Sequence, residues 1–184
     1  MRQALIPHPA TPCAAPSALE AQVERDPAGR LTLRYRATGD SAAVKLPPPA
    51  RPRRTDELWK HTCFEAFILP HGQSGYIELN FSPSGEWAAY SFEGYRAGMR
   101  PALDVGPPEI ALARRGAGFE VAVAVDLSAA AALPADAAWS VGLSAVIEGT
   151  DGRTAYWALA HPPGRPDFHH RECFALELPP TERS

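Results

Sequence analysis

The chain has 184 residues, 45% of them hydrophobic and 21% charged, with a formal net charge of −3. That is enough apolar sequence for one globular domain with a real core, and the mild acidity gives no support for a nucleic-acid footprint. Twenty prolines favour short strands and long connections over helices, and no apolar run approaches the roughly 18–20 residues of a membrane span.

Residues 1–16 are rich in proline and read as an extended arm, broken before any signal-peptide core can form, so the default expectation is a cytoplasmic location. Residues 19–24 and 31–37 read as a hairpin around Asp26-Pro27-Ala28-Gly29. Leu31, Leu33 and Tyr35 alternate there with Thr32, Arg34 and Arg36, a half-buried strand pattern. Residues 42–46 give another short strand. A loop over residues 47–54 follows, carrying the short basic patch Arg51-Pro52-Arg53-Arg54, and Thr55 or Asp56 is placed to cap a single turn.

The centre of the sequence is WKHTCFEAFILPHGQSGYIELNFSPSGEWAAYSFEGYR, from Trp59 to Arg96. It reads as three consecutive antiparallel strands, 62–69, 76–81 and 86–92, joined by turns that carry Gly or Pro. In the middle strand Ile77, Leu79 and Phe81 share one face, and Tyr76, Glu78 and Asn80 the other. Cys63, Glu65 and Phe67 form a matching face on the first strand. The expectation is a solvent-facing sheet surface bearing acids, an amide and aromatics. Such groups hold a polyhydroxylated ligand, acids and amides bonding its hydroxyls while indole covers its apolar ring face. The plain alternative is a surface ion pair of Glu65 with Arg96 and aromatics capping the sheet edge.

After Arg96, residues 97–108 are loop. Residues 109–114 and 119–126 make a hairpin around Arg115-Gly116-Ala117-Gly118, and 128–133 is the one short helix expected, stopped by Pro134. Strands at 139–147 and 154–160 follow, then a proline-rich loop, a last strand at 173–178 and a polar tail over 180–184. The fold class is therefore all-β, an antiparallel β-sandwich or jelly roll of about ten strands spanning residues 17–179 with at most one short helix.

The order of these signals resembles the DOMON-like superfamily and, within it, the family-9 carbohydrate-binding modules, in particular free-standing bacterial members. The resemblance rests on CFEAF, then YIELNFSPSGEW, then YWALAHPPGRPDFHHRECFALEL. It implies a non-enzymatic β-sandwich that binds a small ligand, a sugar, on a sheet face. Carried over, Trp59 and Trp157 would form an aromatic platform, with Glu65, Glu78, Asn80 and Arg96 as polar partners. Calcium, common in the family, has no oxygen-rich loop here.

Three other chemistries are weighed. Some DOMON relatives are cytochromes, so Met99 with His161 or His169 is the pair to inspect for noncovalent haem; no C-x-x-C-H attachment site exists. His161, Asp167 and His169 are the compatible members of a metal site, since adjacent His169 and His170 point apart in extended chain. Glu65 and Glu78 could approach the spacing of glycosidase carboxylates, but two acids on one flat sheet do not flank a scissile bond. Cys13, Cys63 and Cys173 are an odd number without C-x-x-C spacing, so no disulfide framework or zinc ribbon is expected, and Cys63 and Cys173 read as core residues. Open sheet edges leave room for a homodimer or another protein contact.

Overall fold

A computed structural model describes residues 2–12 and 15–181; Cys13 and the last three residues of the tail, 182–184, lie outside them. Among the described residues are twelve strands: β1 Arg2–Pro7, β2 Ala18–Arg25, β3 Arg30–Thr38, β4 Cys63–Pro70, β5 Tyr76–Phe81, β6 Trp87–Phe92, β7 Arg100–Pro101, β8 Glu109–Arg115, β9 Gly118–Asp126, β10 Trp139–Glu148, β11 Thr154–Ala158 and β12 Leu176–Leu178. These strands pair with one another antiparallel throughout, and a single isolated bridge among the described residues, Arg54 with Trp87, is parallel. The fold is an all-β sandwich of jelly-roll type, its sheet curled back on itself. No helix among the described residues is long and apolar enough to cross a membrane.

One layer runs β1-β2-β3-β9-β8 and the other β7-β6-β5-β4-β10-β11-β1. β10 pairs with β4 along one edge; its other edge is shared by β12 at its start and β11 at its end. β1 belongs to both layers. Arg2 to Leu5 pair with β2, while Ile6 and Pro7 pair with β11, so this strand turns the corner between the sheets. The segment read as a proline-rich arm is thus partly sheet: Arg2 to Ile6 contain no proline, and Leu5 is buried.

The core between the layers follows from strict alternation. Leu31, Leu33 and Tyr35 of β3 meet Phe64, Ala66 and Ile68 of β4 and Ile77, Leu79 and Phe81 of β5. Three local expectations differ from the structure. Residues 128–133 are successive turns rather than helix, with Ala130 and Leu133 amides bonding Leu127 and Ala130 carbonyls three residues back, and Pro134 prevents a second helical turn. Residues 42–46 do not form a strand: Ser41–Ala43 is a 3-10 turn capped by Asp40, and only Val44 bridges to Gly149. The last strand begins at Leu176, because Arg171–Cys173 is another 3-10 turn.

Candidate ligand-binding site

Every residue of β4 and β5 is buried, which an edge-exposed sheet face would not allow. CFEAFILP and YIELNF are apolar on both faces except for Glu65, Glu78 and Asn80, so something must cover the outer face as well as the inner one. Three segments do so. The connection from β11 to β12 lays Phe168 and Phe174 over the sheet, Phe174 meeting Phe67 and Tyr76 at ring separations of 5.9 and 5.6 Å. Cys173 Sγ fastens this loop from within, its one S–H shared between the carbonyls of Ala160 and Asp167, each 3.2 Å away. The segment before β4 inserts Leu58 and sets Trp59 edge-on to Tyr90 at 5.9 Å. Its single turn, Leu58–Lys60, has no side-chain cap: Asp56 instead accepts from Tyr90 at 2.6 Å and Thr55 donates to Glu86 at 3.0 Å.

The third segment follows β6. Arg96 sits at φ 52, a left-handed conformation uncommon outside glycine. It is held at both ends. Its amide donates to the Tyr76 hydroxyl at 3.3 Å, and its guanidinium donates to Asp167 Oδ1 from Nε at 3.2 Å and from Nη2 at 2.7 Å. Tyr95 also donates to Asp167. Burial pushes the Asp167 carboxyl up, but these bonds outweigh it and hold the group below its ordinary range. The clamp therefore joins the loop after β6 to the loop after β11.

Beneath the three segments remains a cavity of about 320 Å³. Glu65 and Glu78 stand on its floor, and Trp59, Phe92, Tyr156 and Phe168 contribute aromatic walls. Glu65 pairs across the ladder with Asn80, and Glu78 with Phe67, so the two acids are diagonal neighbours on one face. They are 2% and 5% exposed. Burial and the adjacent Glu78 charge raise the Glu65 pKa well above its ordinary value, a Ser144 hydroxyl at 3.3 Å opposing this. Burial likewise pushes Glu78 up to about 7, against the 2.7 Å bond it accepts from Asn80 Nδ2.

A relay of polar groups runs beside the acids. Because the Tyr76 oxygen accepts from the Arg96 amide, its O–H is assigned as donor to His169 Nδ1 at 2.7 Å. Burial, and then the Arg96 charge, lower His169 to about 4, so its ring is neutral and the hydrogen falls on Nε2. That nitrogen lies 3.7 Å from Glu78 Oε2, too far for a direct bond.

The structure thus brings Trp59, Glu65, Glu78 and Arg96 to one cavity. Asn80 is 0% exposed and acts on Glu78 from below; its Oδ1 takes the Cys63 thiol at 3.9 Å. Trp157 must be corrected. It is 4% exposed and packs between the sheets, beside Ala155 and Ala145. Along β11 the neighbour Tyr156 takes the outer face, and that ring, not the indole, walls the cavity. The acid-bearing face itself is covered rather than open to solvent. Sequence reasoning also missed Phe168, since a proline-rich loop gives no periodicity to place it; Tyr156 was recoverable from alternation alone.

Met99 and His169 both line the cavity, but His161 does not; its Nε2 donates to the Ile6 carbonyl at 2.9 Å. His169 Nδ1 is taken by Tyr76, while its Nε2 stands 3.7 Å from Glu78 Oε2 without a direct bond. Among the described residues no three His, Cys, Asp or Glu side chains converge as a metal site. Asp167 is committed to Arg96 and Tyr95, and His170 Nδ1 accepts the Glu172 amide at 3.3 Å.

No family model matches this sequence, and no curated protein matches it. Solved structures do resemble it. A candidate carbohydrate-binding protein from Bacteroides uniformis superposes with a TM-score of 0.66 at 15% identity, covering 94% of this chain and 83% of that one. A family-9 carbohydrate-binding module from Caldicellulosiruptor kristjanssonii is similar in its complex with glucose, with a TM-score of 0.52, 10% identity and coverage of 80% and 69%. Its complex with cellotriose gives a TM-score of 0.53, 10% identity and coverage of 87% and 74%. At these identities the likeness is one of fold.

Proposed function

We propose that this chain is a DOMON-like, non-enzymatic carbohydrate-binding protein that takes one sugar ring into the cavity on the outer face of β4, β5 and β10. The observation that carries the reading is the pairing of two buried carboxyl groups with aromatic walls in one cavity. Carboxyl groups bond ring hydroxyls directionally, and Trp59 or Tyr156 can cover an apolar ring face. At about 320 Å³ the cavity is at the small end of ligand sites, which suits a single ring better than a chain lying across the sheet. The sandwich shared with modules solved holding glucose and cellotriose supports the same class of ligand.

Binding rather than hydrolysis fits the layout, because both acids rise from one floor instead of flanking a bond from opposite sides. With a few stacking and hydrogen-bonding contacts of on the order of 1 kcal/mol each, affinity for single sugars is expected between about micromolar and millimolar. Titration of the purified protein with monosaccharides, cellobiose and haem, followed by tryptophan fluorescence and calorimetry, tests this. Saturable binding of a sugar that is weakened by Trp59→Ala supports the reading; a Soret-active complex with no sugar binding overturns it.

A further inference from the structure

The charge balance around the cavity is uneven. Arg96 is its lining residue with a permanent positive charge, and that guanidinium is already committed to Asp167 through Nε and Nη2. His169 is neutral, its Nδ1 engaged by Tyr76. The two acids have only neutral donors. Glu65 Oε2 accepts from Ser144, and Glu78 Oε1 from Asn80, while Glu65 Oε1 and Glu78 Oε2 have no hydrogen-bond donor among the described residues. Both side chains are more than nine-tenths buried and open onto the same space.

Burying one carboxylate without a cation is costly, and burying two as diagonal neighbours is worse. The free protein meets this cost by retaining protons on the pair. A ligand could meet it otherwise. An ammonium group supplies three N–H donors and the missing positive charge, and the faces of Trp59, Tyr156 and Phe168 attract a cation placed among them.

We infer that the cavity selects a ligand bearing a protonated amine, which, resting on the sugar reading above, means an amino sugar in preference to its neutral counterpart. The amine lies between the unpaired oxygens of Glu65 and Glu78, and the ring hydroxyls take the remaining contacts. Because the acids ionise as the cation enters, binding releases protons to the buffer. A neutral sugar instead uses the carboxyl groups in their protonated form and releases none.

The test is calorimetric titration of the whole chain with D-glucosamine, D-glucose, N-acetyl-D-glucosamine and ethanolamine at about pH 6.5, where amines are charged. Each titration is run in two buffers of different ionisation enthalpy, which reads proton release without any mutation. The expected result is glucosamine binding at least about tenfold tighter than glucose or its N-acetyl form, with protons released. Glu65→Gln and Glu78→Gln should each narrow that ratio toward one, their folding checked by thermal melting. Glucose binding as tightly as glucosamine, or glucosamine binding without proton release, overturns the inference and leaves the sugar reading standing. Ethanolamine binding with no sugar bound overturns the sugar reading and keeps the amine site. Binding of none of the four overturns both.

Discussion

The hydroxyl of Tyr35, on β3 in one sheet, donates to the main-chain carbonyl of Glu65, on β4 in the other, across 2.7 Å. The bond crosses the core beside Phe64, which packs on the Tyr35 ring at 5.0 Å. Burial, reinforced by the Glu65 charge, raises the phenol well above its ordinary pKa, so it remains a donor at any ordinary pH. The floor of the cavity is thereby tied to the far layer at the residue that carries the deeper acid. Tyr35→Phe keeps the ring but leaves the carbonyl with one bond fewer. A loss of about 1–2 kcal/mol in urea unfolding is expected, with ligand affinity falling as Glu65 loses its anchor.

The two tryptophans carried over from the family resemblance should separate cleanly. Trp59 is half-buried at the cavity wall, so Trp59→Ala should weaken ligand binding by about 1–2 kcal/mol and leave the melting temperature within a few degrees of the parent. Trp157 fills the core, and its Nε1 has no hydrogen-bond partner among the described residues. Trp157→Ala should therefore cost about 3–5 kcal/mol in stability. Equal effects of the two substitutions on melting would show that Trp59 is also a core residue.

Much of this arrangement was legible because β-strands repeat every two residues. Alternation in YIELNF and CFEAF put Glu65, Glu78 and Asn80 on one face, and the register of β4 with β5 then set Glu65 opposite Asn80. The same rule applied to TAYWA would have sent Tyr156 to that face and Trp157 inward; the family pattern pointed to the indole instead. What alternation cannot show is the cover. Phe168, His169 and Asp167 lie in a loop whose placement depends on the Arg96 clamp and on Cys173, contacts between segments some 70 residues apart for Arg96 with Asp167. The face was consequently expected to be wet. β1 escaped notice for a related reason: the prolines around it hid a strand whose pairing partners lie on two different sheets.

The Arg96–Asp167 clamp should matter to binding more than to stability. Its guanidinium is half exposed, and exposed ion pairs contribute about 0–1 kcal/mol to folding. Yet it joins two of the three segments that roof the cavity. Asp167→Asn retains an acceptor for the His169 amide while removing the charge. Melting should shift by no more than about 3 °C, whereas ligand dissociation should accelerate several-fold as the roof loosens. Stopped-flow release of a bound sugar or amine reads the second effect directly.

The buried acids give a pH signature in the ligand-free protein. Glu78 has an ordinary value of 4.5 and is pushed up to about 7 in the folded state, so between those pH values the folded chain holds more protons than the unfolded one. Stability from this group is therefore greatest below about pH 4.5 and is lost as pH rises through about 7, the reverse of a salt-bridged carboxylate. His169, lowered to about 4, works in the opposite sense, its contribution falling as pH drops from 6.5 toward 4. Comparing the parent with Glu78→Gln cancels much of that shared titration. The variant should gain on the parent by on the order of 1–3 kcal/mol between about pH 5 and pH 8 in urea unfolding, then hold that margin at higher pH. Parallel curves across the range would mean that Glu78 ionises freely in the folded chain, and the cavity floor would then already be charge-compensated without a ligand.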